Sequence, residues 1–302
     1  MNNNGLGNLD DLFASALDDG LTDDTLDLVV ANLNGPTMVT AVGVPLDQLA
    51  TNEVTLAMNI IDMSGSMSPH AADLIHAYND SYLTAMAQST AVDDILISTI
   101  LFNDSVSLLH GYVGLPDARR LDSTTYSPYG STALYDAVAG GLANMVLYAQ
   151  QLRQSGIMVR CIVIVYSDGD DNASKQRAQD VARTSRELLK QEMYTLAYVG
   201  FFDGLNQQAM GFKTKNKTAP AQAKAQKLAD EIGFTEALTA GLNQSELRRI
   251  FHMVSMSTVR VSQQSAAPAG IFNATAQRKK DAKRLSALRP FFPLRLWAKT
   301  SF

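Results

Sequence analysis

The chain has 302 residues, of which 46% are hydrophobic and 18% are charged, and this composition excludes wholesale disorder and is typical of a soluble globular protein. The formal net charge of −5 gives no general reason to expect binding to nucleic acid or to an anionic membrane. The single cysteine, Cys161, excludes an internal disulfide and is expected to be a small buried hydrophobic residue.

The first 49 residues form an acidic N-terminal extension. Residues 1–36 contain seven Asp and no Lys or Arg. The spacing of apolar residues predicts two short helices, Leu9 to Leu17 and Thr22 to Leu33, and alternation predicts a strand from Met38 to Val44. This extension either docks on the main domain or is a free arm that contacts a basic partner.

Residues 50–262 show strands that alternate with helices. The predicted strands are Val54 to Ile61, Ile95 to Phe102, Val106 to Val113, Val159 to Tyr166, Tyr194 to Phe202 and Glu236 to Thr239. The predicted helices are His70 to Gln88, Ala133 to Leu152, Ser174 to Gln191, Ala221 to Ile232 and Gln244 to Val261. The third strand pairs with the second as a hairpin, and the segment from Asp203 to Pro220 is predicted to be an exposed loop. The pattern predicts an α/β fold with a doubly wound, mostly parallel central sheet, one antiparallel edge strand and flanking helices.

Residues 263–302 form a basic C-terminal tail, with eight Lys or Arg residues against one acid, Asp281. Phe291, Phe292 and Trp297 add surfaces on which nucleic-acid bases could stack. The same composition also suits a docking peptide, a segment that contacts an anionic surface, or a solvated tail. No secretory signal is visible, and no stretch approaches the ~20 apolar residues of a membrane span. A cytoplasmic location is therefore expected.

The first predicted core strand ends abruptly in Asp62-Met63-Ser64-Gly65-Ser66. If the chain curls around a loop here, the side-chain oxygens of Asp62, Ser64 and Ser66 can converge on one hard cation. Alternatively, Ser-Gly-Ser is a turn in which Asp62 or Ser66 caps the following helix. Taken alone, this stretch favours neither interpretation.

Two further polar clusters lie next to the ends of predicted strands or helices. Thr132 lies in Gly130-Ser131-Thr132, just before a predicted helix, and Asp168 follows the strand that ends at Tyr166. Ligands of open α/β sheets bind at the carboxyl ends of the strands, near the point where the strand order reverses. All three clusters are expected at that edge, which favours the metal interpretation.

This combination resembles the von Willebrand factor type A (VWA) domain and its metal-ion-dependent adhesion site (MIDAS). The family pattern is Asp-x-Ser-x-Ser after the first strand, a Thr in a loop before a helix, and Asp-Gly after the fourth strand. Asp62, Ser64, Ser66, Thr132 and Asp168 match it over roughly residues 50–262. The resemblance implies a Rossmann-like VWA fold of the intracellular bacterial or phage type.

The resemblance also implies a role for each residue. Ser64 and Ser66 would ligate the cation directly, Thr132 directly or through water, and Asp62 and Asp168 mainly through bound waters. Mg²⁺ is the implied ion, and Mn²⁺ also fits. Asp170, Asp171 and Asn172 extend the site, are solvated residues of the loop, or cap the next helix. Asp136 suits the first turn of its helix. Tyr126 and Tyr129 either line the partner-binding face or pack the loop.

The implied function is that of an adaptor without catalytic activity. It would capture an Asp or Glu of a protein partner through the bound cation, in a cytoplasmic complex that includes an AAA-type ATPase. The chain has no Gly-x-x-x-x-Gly-Lys phosphate loop of its own. The alternatives are a metal-dependent hydrolase and, through the basic tail, a protein that binds nucleic acid or an anionic surface.

Overall fold

The computed structural model describes residues 9–32, 43–49, 51–89, 94–202 and 218–263. Its centre is a six-stranded sheet with the order β3-β2-β1-β4-β5-β6. The strands are β1 (Glu53–Asp62), β2 (Ile95–Phe102), β3 (Val106–Gly114), β4 (Met158–Ser167), β5 (Tyr194–Phe202) and β6 (Glu236–Gly241). Neighbouring strands are parallel except β2 and β3, which pair antiparallel at one edge. The predicted fold class is confirmed, and the strand order describes a VWA-like α/β fold.

The strand order reverses between β1 and β4. From β1 the chain adds β2 and β3 on one side, and it then returns to β4 and adds β5 and β6 on the other. Both central strands are buried along almost their whole length because helices cover both faces of the sheet. The carboxyl ends of β1 and β4 therefore border the crevice in which such folds place their ligands.

Helices lie on both sides of the sheet. They are α1 (Leu9–Asp18), α2 (Asp23–Asn32), α3 (Ala71–His76), α4 (Ala85–Ala87), α5 (Leu134–Gln154), α6 (Ala178–Leu188), α7 (Thr218–Glu231) and α8 (Gln244–Ser262). The apolar residues of α2, α5, α6 and α7 share one core with one face of the sheet. Those of α3, α4 and α8 form the core on the other face. None of these described helices combines the length and the apolar character needed to cross a membrane.

The helix predicted from His70 to Gln88 is wrong in detail. A 3-10 helix (Gly65–His70) precedes α3, and a π-helical segment, Ala77–Thr84, separates α3 from α4. Within this segment the hydroxyl of Tyr78 forms a 2.7 Å hydrogen bond with that of Thr99, and the hydroxyl of Tyr82 accepts one from Asn59. The wider helical turns let both buried tyrosines reach polar partners in the sheet.

The starts of two other helices differ from the prediction by three or more residues. α6 begins at Ala178 instead of Ser174, because the Asp136 carboxylate accepts the backbone N–H groups of Lys175 and Gln176 and holds them outside the helix. α7 begins at Thr218, inside the predicted loop. The rest of that loop, most of the predicted strand at 38–44 and the basic tail lie outside the described residues.

Cys161 lies in the core, as expected. It is a free, fully buried thiol on β4, and burial raises its pKa to about 12. We expect iodoacetamide to leave Cys161 unmodified in the folded protein at pH 8 and to alkylate it after unfolding in guanidinium, as measured by mass spectrometry. Rapid alkylation of the folded chain would contradict this placement.

Gly233 ends the turn after α7 with a φ of +77°, and a Cβ built there would lie 2.5 Å from the backbone oxygen of Ala182. Gly156 has a similar φ of +81° but no atom within 4 Å of such a Cβ. Gly156→Ala is therefore expected to cost about 1 kcal/mol of stability from backbone strain, and Gly233→Ala at least about 2 kcal/mol, because the α6 backbone must also move. Urea denaturation measures both, and equal losses would contradict the close approach.

Candidate metal centre

All five residues predicted to form the metal site lie at the carboxyl edge of the sheet. Asp62 is the last residue of β1. Ser64 and Ser66 follow it, Asp168 comes directly after β4, and Thr132 precedes α5. Side chains from three loops therefore surround the end of the crevice between β1 and β4.

Asp62 is the buried base of this arrangement, with 0% of its surface exposed. Its Oδ1 accepts the backbone N–H of Ser64 at 2.7 Å, which closes a tight turn directly after β1. Its Oδ2 accepts the hydroxyl of Ser167, the last residue of β4, at 2.6 Å. The carboxylate thus fixes the loop after β1 and ties it to the neighbouring strand.

The two serines lead from this buried carboxylate towards the surface. The hydroxyls of Ser64 and Ser66 are 3.1 Å apart, and that of Ser66 donates to Oδ1 of Asp168 at 2.9 Å. Ser64 is buried, whereas Ser66 is exposed. The structure therefore brings the loops after β1 and β4 together through side-chain oxygens.

Thr132 joins the group through the residue after Asp168. A Cβ built on Gly169 would lie 3.9 Å from the Thr132 hydroxyl, so this hydroxyl borders the backbone of the β4 loop. The Thr132 backbone is held on both sides, because its N–H donates to the Asn172 side chain at 2.8 Å and its carbonyl accepts the Asn172 N–H at 2.9 Å. The loop before α5 is therefore fixed against the loop after β4.

The loop before α5 is also hydrogen-bonded to the loop after β1. The carbonyl of Met63 accepts the N–H of Tyr129 at 3.0 Å, and the N–H of Gly65 donates to the carbonyl of Gly130 at 3.1 Å. The hydroxyl of Tyr126 donates to the backbone carbonyl of Asp62 at 2.6 Å. Tyr126 is buried and packs the loop, which was one of its two predicted roles, whereas Tyr129 is exposed.

Three other acids near this edge, Asp136, Asp170 and Asp171, contact the loops or the helices beside them. Asp171 accepts the backbone N–H of Tyr135 at the start of α5 at 3.3 Å, and Asp136 accepts N–H groups of the β4–α6 loop. Asp170 is exposed and lies 3.5 Å from the ammonium group of Lys224. These contacts hold the helix start and the loop in place, and none of them joins these acids to Ser64 or Ser66.

Burial makes the charged form of the Asp62 carboxylate unfavourable. Burial raises its pKa to about 6, the hydrogen bonds from Ser167 and Ser64 oppose this shift, and the nearby charge of Asp168 adds to it. Among the described residues, no basic side chain forms an ion pair with Asp62. At neutral pH a buried negative charge therefore lacks a protein counter-charge.

The residues at this edge fit a hard divalent cation. Three hydroxyls and two carboxylates supply only oxygen donors, which is the ligand type that Mg²⁺ and Mn²⁺ prefer. Two carboxylates would balance the charge of one such ion. In the described part of the chain, this edge included, no group of three or more His, Cys, Asp and Glu side chains could hold a metal.

The sequence did not predict that Ser167 and Tyr126 contact Asp62, although it did predict that Tyr126 lines the partner-binding face or packs the loop. Ser167 holds the Asp62 carboxylate, and Tyr126 holds its backbone carbonyl. Ser167 could have been found because it ends the strand next to that of Asp62 and directly precedes Asp168. Tyr126 carries no comparable signal, since its partner lies 64 residues away in the sequence.

No protein-family model matches the sequence, and the comparison with curated proteins gave no match. The chain is similar to several solved structures. A von Willebrand factor type A protein from Catenulispora acidiphila is 15% identical, with a TM-score of 0.42 over 68% of this chain and 43% of that one. The PilB minor pilin from Streptococcus sanguinis is 14% identical, with a TM-score of 0.48 over 71% of this chain and 64% of that one.

A third similar structure is proximal thread matrix protein 1 from the mussel byssus, with a zinc-occupied MIDAS motif. It is 14% identical, with a TM-score of 0.41 over 70% of this chain and 46% of that one. This chain thus matches less than two thirds of the length of each of these three structures. At these identities and TM-scores, no residue role follows from the similarity.

Proposed function

We propose that this protein is a metal-dependent protein-binding module that captures a carboxylate of a partner through one divalent cation, Mg²⁺ or Mn²⁺. The observation that carries the proposal is the continuous set of oxygens from Ser64 through Ser66 to Asp168, above the buried carboxylate of Asp62. Loops from two adjacent parallel strands supply it, at the edge where such sheets bind ligands.

Each residue has a defined part in this proposal. Ser64 and Ser66 supply hydroxyl oxygens directly, and Thr132 supplies its own directly or through water. Asp62 and Asp168 balance charge and orient the serines, since each is hydrogen-bonded to the serine loop. The bound cation supplies the positive charge that attracts a partner's Asp or Glu.

Part of this site is already exposed for a partner. Ser66 and Tyr129 face solvent, whereas Asp62 and Ser64 are buried beneath them. A partner carboxylate would therefore approach from the side of Ser66 and contact Tyr129. In line with the family resemblance, we expect the partner to be a cytoplasmic complex with an AAA-type ATPase, and the module itself to catalyse no reaction.

The test is affinity capture from native lysate in Mg²⁺ and in EDTA, with Ser66→Ala as the site variant. Ser68→Ala is the matched control, because Ser68 lies in the same loop and its exposed hydroxyl donates only a 3.4 Å bond to the carbonyl of Pro128. We expect the same proteins on the wild type and Ser68→Ala in Mg²⁺, and their loss in EDTA and on Ser66→Ala. A set of captured proteins that EDTA and Ser66→Ala leave unchanged would refute metal-dependent capture.

A further inference from the structure

The helices α1 and α2 cover the outward side of α5 and α6. The side-chain amide of Gln154 on α5 donates to the backbone carbonyl of Asp11 at 2.9 Å, so this stripe of α5 faces α1. Gln150 lies one turn earlier on the same stripe and is 1% exposed, and Leu147 is 2% exposed. A helix that would otherwise form the outer layer is therefore buried on both sides.

Two ion pairs cross this contact. Arg153 at the end of α5 lies 3.5 Å from the carboxylate of Asp19, and Arg183 on α6 lies 3.3 Å from that of Asp24. The Arg183 and Asp24 side chains are both about half exposed. Such pairs contribute little to stability, but they align charges of opposite sign across the contact.

The covered surface also contains polar groups that suit contact with water. The carboxyl group of Glu187 on α6 is 7% exposed and accepts hydrogen bonds from the hydroxyls of Thr22 and Thr25, and among the described residues no basic side chain pairs with it. Neither the oxygen nor the nitrogen of the Gln150 amide has a hydrogen-bond partner in the described part of the chain. The hydroxyl of Thr184, one turn before Glu187, likewise lacks one there.

The hydrogen bonds to Glu187 strengthen the contact, whereas the unpartnered groups of Gln150 and Thr184 weaken it. An amide or hydroxyl group that loses water without gaining a partner costs about 1–3 kcal/mol, and these groups regain water when α1 and α2 move away. The apolar contacts of Leu12, Leu21 and Val29 must offset that cost. The two helices are therefore held less firmly than the sheet beneath them.

We propose that α1 and α2 are a separable cover, and that the α5–α6 face beneath them is a docking site for an acidic amphipathic helix of a partner protein. The cover itself shows which chemistry the face accepts. Residues 9–32 contain seven Asp and no Lys or Arg, and they present apolar side chains to α5 and acids to Arg153 and Arg183. A partner helix with apolar residues on one side and acids beside them can replace the cover, because it makes the same apolar contacts with α5 and the same ion pairs with Arg153 and Arg183.

Hydrogen exchange of the wild-type chain tests whether the cover separates. The amides of α1 and α2, together with those of α5 from Leu147 to Gln154, are expected to exchange at least ~10-fold faster than those of β1 and β4 under native conditions. Exchange of α1 and α2 only at the rate of the central strands would overturn the proposal.

Binding of a synthetic peptide with the sequence of residues 9–32 tests the docking face. Asp24→Arg places two like charges across the contact, whereas Asp27→Arg makes the same change at an exposed position of α2 for which the structure shows no ion pair. The peptide is expected to bind full-length Asp24→Arg at least ~10-fold more tightly than the wild type or Asp27→Arg, because the tethered cover no longer competes. Adding Arg183→Asp to Asp24→Arg is expected to return the affinity for the peptide to the wild-type value, because the double variant regains an ion pair of inverted sign between the cover and α6.

Three outcomes would overturn the docking site. One is equal binding of the peptide to all variants, and another is equal binding of a scrambled peptide of the same composition. The third is dimerisation of Asp24→Arg by light scattering, which would make a second copy of this chain the occupant. Near-ultraviolet circular dichroism verifies that each variant is folded, and the exchange measurement on the wild type decides whether the cover separates even if Asp24→Arg fails to fold.

Discussion

Replacing Asp62 with Asn is expected to stabilise the protein in the absence of divalent cations, by on the order of 2–3 kcal/mol at pH 7.5. The Asp62 carboxylate is fully buried, no basic side chain within the described ranges pairs with it, and burial raises its pKa to about 6. The folded state therefore binds the Asp62 proton more tightly than the unfolded state does. An uncharged Asn side chain can accept the Ser64 N–H through its oxygen and donate its amide N–H to the Ser167 hydroxyl, which reverses the direction of the second bond.

The sign of this effect fixes its pH dependence. A raised carboxyl pKa contributes stability when the group is protonated, and that stability is lost as pH rises from the ordinary value of 3.8 to about 6. The stability difference between Asp62→Asn and the wild type should therefore grow across this window and level off above it. Urea denaturation in EDTA between pH 4 and pH 7.5 measures the difference.

Asp122 provides a control of opposite sign. It is an exposed carboxylate, and hydrogen bonds from Thr124 and Thr125 lower its pKa to about 2. Asp122→Asn is therefore expected to destabilise the protein slightly at neutral pH. Destabilisation by Asp62→Asn at pH 7.5 in EDTA would contradict the view that the buried carboxylate lacks a counter-charge.

Replacing Ser66 with Ala is expected to weaken Mg²⁺ and Mn²⁺ binding by roughly 10- to 100-fold. The Ser66 hydroxyl lies between that of Ser64 and the carboxylate of Asp168, so its loss removes a donor and also separates the two loops. Isothermal titration calorimetry with each ion measures the effect, with Ser68→Ala as the control that retains binding. Unchanged binding in Ser66→Ala would exclude this hydroxyl as a ligand.

The two predictions combine into a test of linkage. A cation that binds only the folded state stabilises it by RT ln(1 + [L]/Kd), about 2.7 kcal/mol at 100 times Kd. Saturating Mg²⁺ is therefore expected to stabilise the wild type and to leave Asp62→Asn almost unchanged. The stability advantage of the variant in EDTA should largely disappear in Mg²⁺.

The sequence predicted the sheet and the place of the site because both depend on local patterns. Apolar runs that end in acid mark β1 and β4, and the carboxyl ends of parallel strands necessarily share one edge. Position alone thus sufficed to bring Asp62 and Asp168 together. Whether these residues bind a metal stays a prediction.

Features that depend on distant partners were not predictable in the same way. The π-helical segment arises because Tyr78 and Tyr82 meet Thr99 and Asn59 in the sheet, and no helical pattern shows those contacts. The start of α6 is set by Asp136, 39 residues before the Lys175 N–H that it accepts.

The position of the acidic extension also depended on distant partners. The sequence could not decide between docking on the main domain and a free arm. Arg153 and Arg183 pair with Asp19 and Asp24, but the sequence does not show that these two arginines face the extension. The structure places α1 and α2 on the main domain. The strand predicted at 38–44 stays a prediction, since most of it lies outside the described residues.

The central claim is that a divalent cation binds among Ser64, Ser66 and Thr132, and paramagnetic broadening by Mn²⁺ tests it most directly. In a ¹H–¹⁵N spectrum, substoichiometric Mn²⁺ is expected to broaden the amide signals of Gly65, Gly130 and Gly169 first, and excess Mg²⁺ should restore them. Ser66→Ala should require a much higher Mn²⁺ concentration for the same effect. Broadening centred on other residues, or none at these three glycines in the folded wild type, would contradict the claim.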